Sequence, residues 1–258
     1  MSMHTLNLSA KYLIMISELC NLNTDLDNIM HGLITGWAKS RGGSGVSVEH
    51  ARGISHCFFE YSIGKNARNR ETFCWGTLNC IDSIIQFHKK KYHFLSVFDI
   101  DIETHKQLLL NGYKLVVRET HMYKPIPDNV HSPNFSVKRV SSKEEADWYN
   151  SQKGSSFIKP EHIVDPDVFD FYTRDRDIMT SSARAIRVGR FWVVDDVQTH
   201  PAFRRRGMAS NLLVTITSFA QMDKTCILTL ISSSEGLPLY IRDGYTKGLS
   251  LNVYSSTY

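Results

Sequence analysis

The residues of this chain predict an α/β (α+β) fold in which a mixed, central twisted sheet is flanked by helices. Three observations carry that expectation. Arg190 to Thr199, RFWVVDDVQT, is rich in aromatic and β-branched residues and reads as a mostly buried strand. Past a short loop, Met208, Leu212, Leu213, Ile216 and Phe219 recur at spacings of three and four, the apolar stripe of an amphipathic helix, and Ile227 to Ile231 reads as a further strand. Shifted by 132 residues without gaps, the chain also superimposes on itself, with Phe87 on Phe219, Leu95 on Ile227, Gly112 on Gly244 and Tyr113 on Tyr245.

Composition limits what such a fold can do. At 258 residues, 42% of them hydrophobic and 22% charged, the chain can bury a sizeable core as one large or two ordinary domains. No apolar stretch approaches the ~18 residues of a membrane span, since Tyr12 to Ile16 is interrupted by Ser17 and Glu18, and the start lacks a secretory pattern. The five cysteines, Cys20, Cys57, Cys74, Cys80 and Cys226, show neither C-x-x-C pairs nor histidines at metal-site spacing, which implies reduced thiols, a cytoplasmic location and no metal. A formal charge of +4 gives no ground for a nucleic-acid partner.

In chain order, Gly36 to His50 (GWAKSRGGSGVSVEH) reads as an exposed flexible connector, or as a lid over a cleft. Thr77 to Lys90 reads as a helix and Phe94 to Phe98 as a strand, followed by a second helix ending in Asn111-Gly112-Tyr113. Lys124 to Pro133 contains three prolines and few apolar residues and reads as a linker. Asp165 to Asp177 carries five aspartates against two arginines and reads as a polar helix with a capping Asp. The stretch HPAFRRRGMASNLL, residues 200 to 213, then joins strand to helix: Pro201 ends the strand and Gly207 lets the backbone turn tightly and a ligand approach it. The first amides of a helix lack internal partners, so a loop that gathers them makes an anion site, which the arginines would strengthen.

Thr199, Pro201, Arg204, Gly207 and Ala209 resemble the V/T-x-P-x-x-R/Q-x-x-G-x-G/A motif of the GNAT superfamily of acetyl-CoA-dependent N-acetyltransferases. Leu239, Tyr240, Gly244 and Tyr245 resemble its second signature, L-Y-x-x-x-G-F/Y. The likeness covers roughly residues 135 to 258 and implies an acyltransferase that moves an acetyl group from acetyl-CoA to a primary amine by direct attack. It implies a cofactor slot between two splayed parallel strands. There the backbone of Val197 and Thr199 pairs with the pantetheine arm, and the amides of Arg204, Arg205, Arg206, Gly207, Met208 and Ala209 cradle the pyrophosphate. Arg205 and Arg206 also reach the adenosine phosphate or else face water. Ser233 replaces an asparagine that contacts the cofactor in the family, which weakens one contact. Tyr240 stands where the family has its general acid, and a backbone amide of the Asp196 to Gln198 strand is the natural oxyanion donor. Asp195 and Asp196, carboxylates inside an apolar strand, are the candidates for general base, Asp195 slightly favoured. The family commonly bulges this strand, so alternation does not choose between them. His200 is the weaker candidate, as the residue before this proline usually points away from the cleft. Asp165 to Asp177 falls where the family builds its acceptor site, so recognition of a cationic substrate is the second reading of that segment.

The internal repeat makes residues 1–126 a degenerate GNAT-like domain, 127–134 a linker and 135–258 the catalytic domain, that is, two tandem GNAT-like domains with one cofactor site. The ungapped shift puts Asn69, Thr72, Trp75 and Thr77 in the places of Pro201, Arg204, Gly207 and Ala209, and Leu108 in that of Tyr240, so the first half lacks both anion loop and acid. The alternatives are a non-catalytic acyl-CoA-binding or protein-interaction module and, third, a nucleic-acid binder that the modest charge disfavours. Polyamines, amino acids, antibiotics and protein N-termini all stay open as acceptors, as does a homodimer.

Overall fold

The computed structural model describes residues 26–63, 68–76, 81–87, 92–126, 137–223 and 227–256. The N-terminal half supplies helix α1 (Leu26–Gly42), strands β1 (Val46–Ala51), β2 (Ile54–Ile63) and β3 (Arg68–Cys74), helix α2 (Ile81–Phe87), strand β4 (Phe94–Phe98), helix α3 (Ile102–Leu110) and strand β5 (Tyr113–Pro125). The C-terminal half supplies β6 (Lys138–Arg139), α4 (Lys143–Lys153), α5 (Pro160–Val164), β7 (Val168–Asp175), β8 (Ile178–Val188), β9 (Phe191–Thr199), α6 (Met208–Met222), β10 (Ile227–Ser232), α7 (Leu237–Arg242) and β11 (Thr246–Ser256). The expected linker, 127–134, lies outside the described residues, as do Cys20, Cys80, Cys226 and both ends of the helix expected over Thr77 to Lys90.

All the described strands join one mixed sheet in the order β1-β2-β3-β4-β11-β5-β10-β9-β8-β7-β6. Read inward, the two halves repeat each other. Strands β1, β2 and β3 are antiparallel and β3 runs parallel to β4, just as β7, β8 and β9 are antiparallel and β9 runs parallel to β10. The last strand of each half then crosses over: β11 pairs with β4, β5 pairs with β10, and β5 and β11 pair antiparallel at the centre. Each half thus lends the strand that pairs with the other's edge.

Alternation along β9 decides what covers each face. Val193 points toward α1 and joins a core shared with Leu33, Trp37, Phe73, Leu251 and Val253. Trp192 and Val194 point the other way, into a core with Leu212, Leu213 and Ile216 of α6. Helix α1 therefore packs on strands from both halves, whereas α6 serves the C-terminal half.

The parallel pairs differ in a way that positions a site. Strand β3 stays paired with β4 to its last residue, Cys74 opposite Val97. Strand β9 leaves β10 after Val193 opposite Thr229, so Val194 to Thr199 splay away from it. The register of β8 and β9 also jumps between Ser182/Gln198 and Arg184/Asp195, and Asp196 takes a φ of 53°, which is the bulge expected of this strand.

Three expectations need correction. Gly36 to His50 is not a connector or lid: Gly36 and Gly42 belong to α1 and Val46 to His50 to β1. Gly36 is there because the helix lies so close to the sheet that a Cβ would meet Val193 Cγ2 at 2.4 Å. Asp165 to Asp177 is no helix: the aromatic and β-branched residues between its charges form β7, with Phe169, Phe171 and Tyr172 buried. The ungapped repeat also misplaces Asn69 and Thr72, which lie within β3, so neither stands at the loop position of Pro201 or Arg204.

In an unobstructed helix interior, replacing glycine by alanine stabilises by about 1 kcal/mol. At Gly36 the sign should reverse, with Gly36→Ala costing about 1–3 kcal/mol through overpacking against Val193. Urea unfolding of the two proteins reads this directly, and equal or raised stability would contradict the α1 contact.

Candidate active site

Where β9 and β10 part, a cleft of about 1180 Å³ opens, lined by Val197, Gln198 and Thr199 of β9, by Arg204, Arg205, Gly207, Met208 and Ala209, and by Ser233 after β10. The sequence-expected cofactor residues are thereby brought together, except Arg206, whose guanidinium lies 5.2 Å from the centre of the Phe203 ring. His200, expected to point away, lines the cleft, its Nδ1 accepting from the Ala202 amide at 3.3 Å. Gly207 caps α6 with a φ of 78°, a conformation that costs a side-chain-bearing residue and turns the chain into the helix. Among the described residues, the amides of Arg205, Arg206, Gly207, Met208, Ala209 and Ser210 donate to no acceptor. A run of free amides at the positive end of a 15-residue helix is an anion cradle. The splayed edge of β9 beside it can pair with an extended ligand as an added strand would.

The candidate catalytic groups sit at the edge of this cleft rather than in its lining. Asp195 accepts from Ser40 Oγ at 2.7 Å and is paired with Arg41, both from α1. Asp196 is paired with Lys153 at the end of α4 and accepts from Gln198 Nε2 at 2.7 Å. Burial raises the Asp196 carboxyl, and Lys153 pulls it back. Both carboxylates are therefore engaged by cations. Tyr240, on α7, is only 8% exposed, with its ring 5.6 Å from that of Tyr245. Burial, with Asp195, Asp196 and Asp243 nearby, pushes its hydroxyl well above the ordinary tyrosine value, so it stays protonated at neutral pH.

Lys153, Arg41 and Ser40 were not legible as site residues, because each reaches β9 from another element. What holds Ser40, and with it Arg41 beside it, is Arg184 of β8, fully buried. It bonds both oxygens of Asp170, at 2.8 and 2.9 Å, and its Nη1 donates to the Ser40 carbonyl at 2.8 Å, tying the end of α1 to the sheet. Three of the five aspartates of the acidic segment are paired here: Asp170 with Arg184, Asp165 with Lys39 and Asp167 with Arg187. Among the described residues no group of three metal-ligating side chains occurs, and no helix is long and apolar enough to cross a membrane.

His162 completes this support. Its Nδ1 accepts from the Lys159 amide and from Arg184, both at 3.2 Å, so a second proton would have to sit against a guanidinium. Burial, then Arg184, hold the imidazole down at about 4. A folded value below the unfolded one stabilises above pH 6.5 and is lost as pH falls from 6.5 through 4. The loss should reach about 3 kcal/mol. The stability difference between the wild type and His162→Asn, read by denaturant unfolding, should shrink by that order between pH 7 and pH 4.5; a constant difference would contradict the assignment.

No protein-family model and no curated protein sequence matches this chain. Solved structures do. The chain is similar to a GCN5-related N-acetyltransferase from Kribbella flavida at 14% identity and a TM-score of 0.62, over 92% of this chain and 97% of that one. It is similar to one from Sphaerobacter thermophilus at 10% identity and a TM-score of 0.55, over 81% of each, and to a Drosophila protein at 13% identity and a TM-score of 0.58, over 96% of each. These likenesses run through both halves, so the whole described fold, and not only residues 135–258, is that of the GCN5-related N-acetyltransferases.

Proposed function

We propose that the chain is an N-acetyltransferase that binds acetyl-CoA in the cleft between β9 and β10 and passes its acetyl group to a primary amine. The observation that carries this is the pairing of an open strand edge, Val194 to Thr199, with the free amides of Arg205 to Ser210. The residues fit the group: the edge suits the amide-bearing pantetheine arm, the amides and Gly207 suit a pyrophosphate, and Arg204 and Arg205 line the same space. Acetyl-CoA supplies an activated carbonyl, and the chain supplies the rest. An amide on the bulged stretch Asp196 to Gln198 meets charge developing on the carbonyl oxygen. Tyr240, held protonated, returns a proton to the departing thiolate. The Asp195 and Asp196 ion pairs support these groups and set their field.

We also propose that the N-terminal half is a degenerate unit without a second site. Its parallel strands do not part, the indole of Trp75 after β3 donates to Asp27 at 2.6 Å, and Leu108, at the place of Tyr240 in the repeat, is buried. Calorimetric titration with CoA should therefore saturate at one equivalent per chain, and Gly207→Val should abolish it all while the fold stays intact. Tyr240→Phe should keep that affinity and lower acetyl-transfer turnover about a hundredfold. Binding that survives Gly207→Val, or a second equivalent, would overturn the placement.

A further inference from the structure

On the α1 face of the sheet, over β3, β4, β5, β10 and β11, lies a second cavity of about 560 Å³. Both halves build it. Trp37, Phe73 and Val117 come from the N-terminal half, and Phe157, Ile231 and Val253 from the C-terminal half. Resting on the acetyltransferase reading, we propose that this cavity is the acceptor site, that it takes a primary amine with one positive charge on an apolar body, and that Glu119 of β5 receives its ammonium.

The charges in the cavity make the case. Arg41 is paired with Asp195, and Arg68 donates to Glu71 at 2.7 Å, while Ser96 donates to the other Glu71 oxygen. Glu119 lines the same cavity, and no described side chain bonds to it. The guanidiniums of Arg41 and Arg68 act on it only at a distance. Burial raises its carboxyl, Arg41 and Arg68 lower it, and Asp195 raises it again. One carboxylate is thus left over in an otherwise neutralised, aromatic-walled space, and a monocation cancels it. A second ammonium would enter without a partner, and a substrate carboxylate would find the two lining guanidiniums, Arg41 and Arg68, already paired with Asp195 and Glu71; both are costly in a desolvated site.

The cavity also borders the right stretch of β10. Ile231, which lines it, lies beyond Thr229, the last residue of that strand paired with β9. Asp195 and Asp196, adjacent on β9, bridge the two spaces: the first holds Arg41, which lines the cavity, and the second holds Lys153, which lines the cleft. In the reaction, the ammonium gives one proton to the Glu119 carboxylate and the freed nitrogen lone pair attacks the thioester carbon. The C–N bond forms and the C–S bond breaks. The nitrogen's second proton replaces the one Tyr240 gives to the thiolate, and Glu119 releases its proton to solvent.

The test uses the full chain with acetyl-CoA and three probes: 2-phenylethylamine, phenylalanine (the same body with a carboxylate) and spermidine, with free thiol release as readout. We expect kcat/KM for 2-phenylethylamine to exceed the other two by about tenfold or more. Glu119→Gln should lower it about a hundredfold with the acetyl-CoA affinity, read by calorimetry, unchanged. Val117→Lys, which puts an ammonium at the mouth of the cavity, should abolish use of the amine and spare acetyl-CoA binding. Equal or faster turnover of phenylalanine or spermidine, or wild-type kcat/KM in Glu119→Gln, overturns the inference while the acetyltransferase reading stands. Failure of acetyl-CoA to bind overturns both.

Discussion

Arg184 is the constraint on which the rest of the architecture leans. A guanidinium with no exposed surface is tolerable only if its donors are met, and it spends them on Asp170, on the Ser40 carbonyl and on the nitrogen of His162. That single side chain joins β7, β8, α5 and the end of α1. The consequence reaches the site, because Ser40 and Arg41, once fixed, hold Asp195 on the strand that borders the cleft. Removing the guanidinium would strand a buried carboxylate and free the helix end at once, which is why a fold element of the first half is inseparable from the chemistry of the second.

The crossed strands give the same message at the level of topology. With β5 inserted beside β10 and β11 beside β4, neither half can complete its sheet alone. A strand pair that opens, as β9 and β10 do, loses ladder hydrogen bonds, and the surrounding sheet must keep it from closing or fraying. The bulge at Asp196 and the packing of α1 and α6 on opposite faces of β9 do this. In the first half β3 and β4 remain zipped, and there the same order of elements makes a wall instead of a slot.

Much of this was legible where the information is local. The strand at 191–199, the helix starting after Gly207 and the strand at 227–232 follow from periodicity, from a proline and from a glycine, and the free amides follow from where that helix must begin. The repeat was legible from a few aromatic and glycine positions, but an ungapped shift slid Asn69 and Thr72 out of register, since loops between the matched strands differ in length. Gly42, Gly43 and Gly45 looked like a flexible run because what crowds them lies on other elements, Phe59 against Gly42 and His162 against Gly43. The aspartates of β7 looked solvated because Asp170 finds its guanidinium only across the sheet. Lys153, Arg41 and Glu119 carried no signal of their own beyond being charges on or beside apolar segments. Their roles exist only once three elements meet.

The opened edge of β9 and the amides after it are the ligand cradle on which the proposed chemistry depends. Hydrogen–deuterium exchange with and without saturating acetyl-CoA measures those amides one by one. The account predicts slowed exchange at Val197 and from Arg205 to Ser210, with β3 and β4 unaffected. Protection confined to other segments, or none at the α6 N-terminus under saturation, would contradict it.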